Sequence, residues 1–512
     1  MKAVTSPSSL FLISFTAQRT SILDPLRRGR ITTRHEASAR STSFLTIQDD
    51  WKVAPKLTVN LGLRWDFTTN GVGSGAPLEA VVNPLTDAGF SRRSHVLAQN
   101  PNWMNFDPRI GVAWDPFADH KTSVRAGFGV FHEEVEARTY ALGYAISPPS
   151  AFVLDTPPSG GIPFPQIPGK PFYQTQGISY RGTNRAPYVI QYNLVLQRET
   201  FAHAVASLAY VGSHGVHLFS QVNENLPVPC SAAGSPLAPW CPAAASGAPG
   251  SPANPFSGQF TNTNFNVLAD AVPASTSRYN SLQASLNRQF GSAIQAQVSY
   301  TWSKCIDEGS ATYPLENSFG VSNPYNRHLD QGPCAFNRTQ NLAINAIHSL
   351  PFHRNSFVSG WRLAGLVTGS SGLPVNVADG YSQSLDGGWA RPNYSGAPGC
   401  NPYAIVKRPI AGPAIHYFDP VCYSLEPLGT HGNVARNSIY GPGLFNVDFS
   451  VTKRTKLAEK LNSEFRAEIF NSFDRVNFGL PNAAVFTGPT AGQITTLATP
   501  PRQIQFSVRL LF

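Results

Sequence analysis

Charge is what this sequence has least of. Only 13% of its 512 residues are Asp, Glu, Lys or Arg, against about 25% in a soluble globular protein. So little charge on so long a chain implies a large surface that does not face water. Also missing is any run of about 18 apolar residues, which excludes a transmembrane helix. A chain that spans a membrane without helices must close its strands into a barrel, because nothing else satisfies the backbone in lipid. No Lys/Arg cluster falls on a helical pattern, so the net charge of +9 does not point to nucleic acid. Loops and the inner wall of a barrel are a simpler place for it. The six cysteines have no CxxC spacing, which argues against zinc or thioredoxin chemistry.

Catalytic signatures are absent too. There is no HExxH, no GxSxG and no GxxxxGK[ST]. The nearest approaches are His132-Glu133-Glu134, Gly369-Ser370-Ser371-Gly372 and Gly169-Lys170. His214 and His217 lie three apart without an evident third ligand, too few for a metal site. We therefore expect no enzyme, no metal and no cofactor.

What the sequence has is alternation. Leu57, Val59, Leu61, Leu63, Trp65 and Phe67 are interleaved with polar residues and Gly62, and Ile504, Phe506, Val508, Leu510 and Phe512 repeat the pattern. Period two is the signature of a strand with one apolar face. Thirteen strands are expected, at 43–53, 56–67, 108–115, 122–132, 187–199, 203–212, 278–289, 293–303, 338–349, 358–369, 443–453, 461–470 and 502–512. Most have about the length that crosses a bilayer at a tilt. Their connections alternate short and long. The long ones are 68–107, 133–186, 213–277, 304–337, 370–442 and 471–501. Outer-membrane barrels join strands by short periplasmic turns and long extracellular loops. Trp51, Trp65, Trp114, Tyr188, Tyr210, Trp302, Trp361 and Phe512 fall near strand ends, where interfacial aromatics belong.

The expected fold is thus an all-β, transmembrane antiparallel barrel over residues 43–512. Residues 1–42 are expected to be an irregular segment, a loop remnant. In them an apolar run from Leu10 to Phe15 is shorter than a signal-peptide core. If the short turns are periplasmic, the last strand descends to Phe512 and strand 43–53 also descends. At least one strand is then expected ahead of residue 43, and the sequence reads as a fragment or a gene model that begins late.

Eleven segments appear in an order that carries a resemblance, and the C-terminal FSVRLLF completes the set. They include QDDWKVAPKLTVNLGLRWD at 48–66, FDPRIGVAWDPF at 106–117, PYVIQYNLVLQRE at 187–199, VSYTWSKCID at 298–307, GWRLAGLVTGSSGLP at 360–374 and FRAEIFNSFDRVNFGLP at 465–481. Together they resemble the C-terminal barrel of Oar-like TonB-dependent receptors. The resemblance implies an outer-membrane location and about 13 strands of a 22-stranded barrel. It also implies ligand binding and import through the outer loops. Siderophores, cobalamin, glycans and peptides all use that scaffold. Implied partners are outer-membrane lipid and the barrel-assembly machinery, the latter through the strand ending at Phe512. The TonB complex is implied only where a plug and a TonB box lie upstream; neither is seen in these residues. A surface adhesin or assembly barrel and a passive porin are the alternatives.

Site residues are less defined. Arg64, Arg125, Arg362, Arg466 and Arg509 share the polar phase with Asp66, Asp448, Glu464 and Glu468. They either contact a plug or steer an anionic ligand, or they form an ion-paired wall. The cysteines fall as one pair per long loop, Cys230/Cys241, Cys305/Cys334 and Cys400/Cys422. Intra-loop disulfides and free thiols both remain open.

Overall fold

The computed structural model describes residues 12–21, 37–70, 72–74, 78–95, 97–99, 102–133, 177–178, 185–225, 262, 264–265, 268–290, 293–310, 327–352, 355, 357–380, 390–401, 408–409, 415–426, 431–459 and 461–512. Fourteen long strands form one antiparallel meander. They are β1 (Leu12–Ser21), β2 (Ala37–Ala54), β3 (Leu57–Thr68), β4 (Asn105–Trp114), β5 (Thr122–His132), β6 (Tyr188–Glu199) and β7 (Ala204–Asn223). Then follow β8 (Ala269–Phe290), β9 (Ile294–Asp307), β10 (Gln340–Ser349), β11 (Trp361–Ser370), β12 (Leu444–Lys456), β13 (Asn462–Phe470) and β14 (Gln503–Leu511). Each pairs with its neighbour in sequence, and three short strands raise the sheet to 17. Among the described residues β1 pairs along its length with β2 alone and β14 with β13 alone. No described helix is long and apolar enough to cross a membrane.

The registers prove the alternation. Leu57, Trp114, Val124, Leu196, Leu208, Ala284, Tyr300, Leu342, Gly369 and Phe445 follow one another, strand to strand, as directly opposed residues from β3 to β12. Apart from the Tyr300 hydroxyl and the Trp114 indole N–H, the row carries no polar side-chain group. One residue along, Thr58, Ala113, Arg125, Val195, Ala209, Gln283, Thr301, Asn341 and Ser370 make the opposite face. A slip of one residue would exchange the two faces. The apolar row begins beside a short turn on β3 and ends beside a long loop on β12, a stagger expected of tilted strands. Its side chains are open to the surroundings: Leu194 is 53% exposed, Leu208 47% and Phe128 45%. Trp51, Trp114 and Trp361 lie towards the short-turn rim, and Trp65, Tyr188, Tyr210 and Trp302 towards the loop rim. Two aromatic girdles bound one apolar belt.

Two expectations are corrected. Residues 1–42 are not wholly irregular, because Leu12–Ser21 is a strand, with Ile13 opposite Ile47 and Phe15 opposite Leu45. Its apolar run is short but alternates well enough to continue the sheet. With β1 the described strands number fourteen, so β1 starts on the rim where β14 ends. The second correction concerns length. β7 and β8 run 20 and 22 residues, well beyond 203–212 and 278–289. A bulge at Gly215/Leu218 and Leu218/Phe219 breaks the alternation there, and a bulge hides a strand from a period-two reading.

Candidate functional site

Every candidate wall residue lies on the polar face, and the registers divide them into separate groups. Near the loop rim Arg64 grips the Asp66 carboxylate at 2.9 Å, and its guanidinium lies 4.9 Å from the centre of the Phe44 ring. Asp107, opposite Arg64, is buried and takes the His132 amide at 3.0 Å and its Nδ1 at 2.6 Å. Sequence reasoning missed Asp107 and His132. Asp107 does lie on the polar phase of its strand; His132 is recruited from a strand end, which no pattern announces.

Near the short-turn rim a second group forms. Glu464 lies between Arg454 (3.2 Å) and Arg466 (3.4 Å), and Arg466 also reaches Glu468 at 3.6 Å. Arg509 is directly opposite Glu464, and Thr452 separates Arg362 from Arg466 across β11–β13. Arg125 belongs to neither group; it faces Ala113 and Val195 near the short end of β5. Asp448 accepts the Asn446 amide at 2.7 Å and the Asn471 backbone N–H at 2.9 Å, which closes the β13 end. The wall is two ion-pair groups at opposite rims, not one site.

The larger construction is above the loop rim. Described residues of 371–443 and 471–502 share a core made of Val375, Val377, Tyr417, Phe418, Cys422, Tyr423, Val434, Ile439 and Val485. The two-residue ribbons Pro374–Val375/Ile439–Tyr440 and Asn393–Tyr394/Tyr423–Ser424 frame it, and the bridges Ala378/Ala484 and His416/Gln493 join the two loops. Disulfides tie Cys400 to Cys422 and Cys305 to Cys334. Cys230 and Cys241 lie outside the described residues, as do most of loops 133–186 and 226–261.

Two buried arginines anchor this loop unit to the β9–β10 loop. Arg391 meets Asp330 at 2.6 Å and donates to the carbonyls of Leu329 (2.6 Å) and Val434 (3.1 Å). Arg436 pairs with Asp307 and donates to the carbonyls of Asp307 (2.8 Å) and Asp330 (2.6 Å). Buried charge is tolerated only when paired and hydrogen-bonded in this way. Cys305, Asp307 and Cys334 are the one described cluster with metal-like spacing. Its sulfurs are joined to each other and its carboxylate is held by Arg436, so it offers no cation site.

Asp379 and Glu426 are a different case. Both are fully buried in the loop unit. Burial first, then hydrogen bonding and repulsion from Glu426, push the Asp379 carboxyl up to about 9. The Asp379 carboxyl therefore keeps its proton at neutral pH.

A lipid-facing belt, a polar inner face and folded loops at one rim describe a barrel that crosses a membrane. The family model described as the outer membrane beta barrel domain matches residues 24–505. The chain belongs to that family. This outer-membrane barrel matches none of the curated proteins. Among solved structures it is similar to YddB from Escherichia coli, an outer membrane transporter, at 12% identity and a TM-score of 0.47, covering 93% of this chain and 55% of that one. It is also similar to the pyoverdine outer membrane receptor FpvA from Pseudomonas aeruginosa PAO1 (11% identity, TM-score 0.43, 93% and 43% covered). BauA from Acinetobacter baumannii, the ferric preacinetobactin receptor, is similar at 13% identity (TM-score 0.43, 93% and 44% covered). The chain spans about half the length of these proteins or less.

Proposed function

We propose that this outer-membrane barrel binds a ligand with its folded outer loops and serves its import, as TonB-dependent receptors do. The observation that supports the reading most is the loop unit. Loops that only joined strands would need neither a hydrophobic core nor buried arginine anchors, whereas a recognition surface gains from preorganisation. The loops expected at 133–186, 213–277 and 370–442, the second shortened to 224–268 by the longer β7 and β8, supply the ligand-contact surface. The ion-pair group around Arg64 and Asp66 lies at the entrance, and Arg125, Arg362, Arg466, Glu468 and Arg509 line the way below it. The ordered resemblance to Oar-like receptors points the same way. Coupling to the TonB complex belongs to a barrel that is accompanied by a plug and a TonB box. The last strand, with Val508, Leu510 and Phe512 in one phase, is the segment offered to the barrel-assembly machinery.

The test compares cells that carry the intact gene with an in-frame deletion. Uptake of a ferric siderophore, cobalamin, an oligosaccharide and an oligopeptide is followed with and without a protonophore. The deletion should abolish protonophore-sensitive uptake of one probe. Unchanged uptake of all four would favour an adhesive or assembly role. Loss of a protonophore-insensitive uptake would make the protein a passive porin.

A further inference from the structure

The lipid-facing phase ends at the loop rim in a group of donors. Leu194, Tyr210, Leu282 and Trp302 oppose one another across β6–β9 as a last, largely apolar row. The next row outward is Tyr192, Gly212, Asn280 and Lys304, and the one beyond it is Ile190, His214, Arg278 and Ile306. Two cations and an amide therefore occupy positions that alternation reserves for apolar side chains. Arg278, Asn280 and Lys304 are all exposed.

The amide is held from below. Tyr192 and Tyr210 donate their hydroxyls to Asn280 Oδ1 at 3.0 and 2.7 Å. The Tyr192 ring reaches Asn280 by crossing β7 over Gly212, where a Cβ would collide with it. With Oδ1 engaged twice, Asn280 presents its Nδ2 donors. Lys304 is directly opposite Asn280, and Arg278 is one diagonal from Lys304. Opposed Cβ atoms lie about 5 Å apart and diagonal neighbours about 7–8 Å, a gap that a phosphate group can bridge. The neighbouring His214 uses Nδ1 on the Ser277 carbonyl at 2.9 Å. Glu308, the next carboxylate along this face, takes the Thr276 amide at 3.1 Å and lies 3.7 Å from Arg327.

Towards the membrane centre the same strands form an apolar groove of about 360 Å³, lined by Leu196, Leu208, Ala284, Leu286, Val298 and Tyr300. It begins four residues below the Asn280 row, about 13 Å at strand rise, within the length of an acyl chain. We propose that Arg278, Asn280 and Lys304 bind the phosphate headgroup of an outer-leaflet lipid whose acyl chain lies along this groove. Charge complementarity and continuity with the apolar belt make the occupant a lipid rather than a soluble anion. The proposal rests on the outer-membrane placement alone, so its failure would leave the import reading untouched.

The test uses the full chain extracted from outer membranes in mild detergent. Binding of a diphosphorylated glycolipid and of its dephosphorylated twin with the same acyl chains is measured by native mass spectrometry. The phosphorylated form should bind tighter. Arg278→Gln and Lys304→Gln should each weaken it about fivefold, the effect of one cation near a charged lipid surface. Lys453→Gln, on the same face at the short-turn rim, should leave it unchanged. Equal binding of the twins by the unaltered protein would overturn the proposal and needs no variant to fold. So would an equal loss in Lys453→Gln, or complete displacement by millimolar inorganic phosphate.

Discussion

The sheet and the loop unit use apolar residues in opposite ways. In the sheet Leu194, Leu208 and Phe128 are about half exposed, while Asp107 and Asn105 are buried. In the loop unit Val377, Phe418 and Ile439 are at most 1% exposed. One chain thus carries a surface made for lipid and a core made for water. Both follow from the hydrophobic effect, with a different medium on the outside of each. The contrast teaches that an exposed leucine is read by its solvent: on these strands it satisfies the bilayer, whereas on the loops it would seek a partner.

The comparison is broken most forcefully from the loop side. Phe418→Ala should cost about 3–5 kcal/mol, the usual loss for a buried phenylalanine. That should unfold the loop unit locally while the strands hold. Hydrogen exchange should show lost protection at Val377, Val434 and Ile439 and unchanged protection along β9–β12. Equal loss in the strands would mean that the two regions fold as one.

The next test exchanges the media. Leu196→Arg, on the lipid face of β6 between the two aromatic girdles, should cost about 2–4 kcal/mol, as a cation near the middle of a barrel's lipid face does. Gln197→Arg, one residue away on the polar face, should cost little. Urea unfolding in lipid vesicles reads both, and equal costs would refute the assignment of faces.

Acid separates the regions further. The Asp379 carboxyl is pushed up to about 9 by burial and by Glu426, above its ordinary value of 3.8. Folding therefore takes up a proton between these pH values. The stabilisation is complete below about pH 4, falls as pH rises, and is gone above about pH 9. Its slope can approach 1.4 kcal/mol per pH unit. Thermal melts of the loop unit should fall from pH 5 to pH 8, and Asp379→Asn, which keeps a donor towards Glu426, should flatten the trend. A slope that survives the substitution would place the proton elsewhere.

The two regions also differ in how well the sequence announces them. All thirteen expected strands exist, because alternation is local and Leu57 to Phe67 states it within eleven residues. The phase of each wall residue was equally legible. Which of them meet was not: Arg64 joins Asp107 and His132 through registers that three strands set together. The loop unit was illegible for a stronger reason. Val377, Phe418 and Ile439 are separated by irregular backbone and follow no period. Arg391 and Asp330 are 61 residues apart, and nothing local predicts that they pair. Sequence reads a surface that repeats; it does not read a core assembled from loops.

The smallest expected effect tests what covers the polar face. Arg466 is 45% exposed in its side chain and shares Glu464 with Arg454. Pairs that open to water contribute about 0–1 kcal/mol and weaken with salt. Arg466→Gln should therefore shift the unfolding midpoint only slightly, and less at high salt. Arg436, sealed against Asp307, should show no such salt dependence, because buried pairs are poorly screened. If Arg466→Gln instead costs as much as Arg436→Gln and ignores salt, the polar face is not wet. A protein element would then cover it in the membrane, and the ion pairs of the inner wall would be contacts rather than lining.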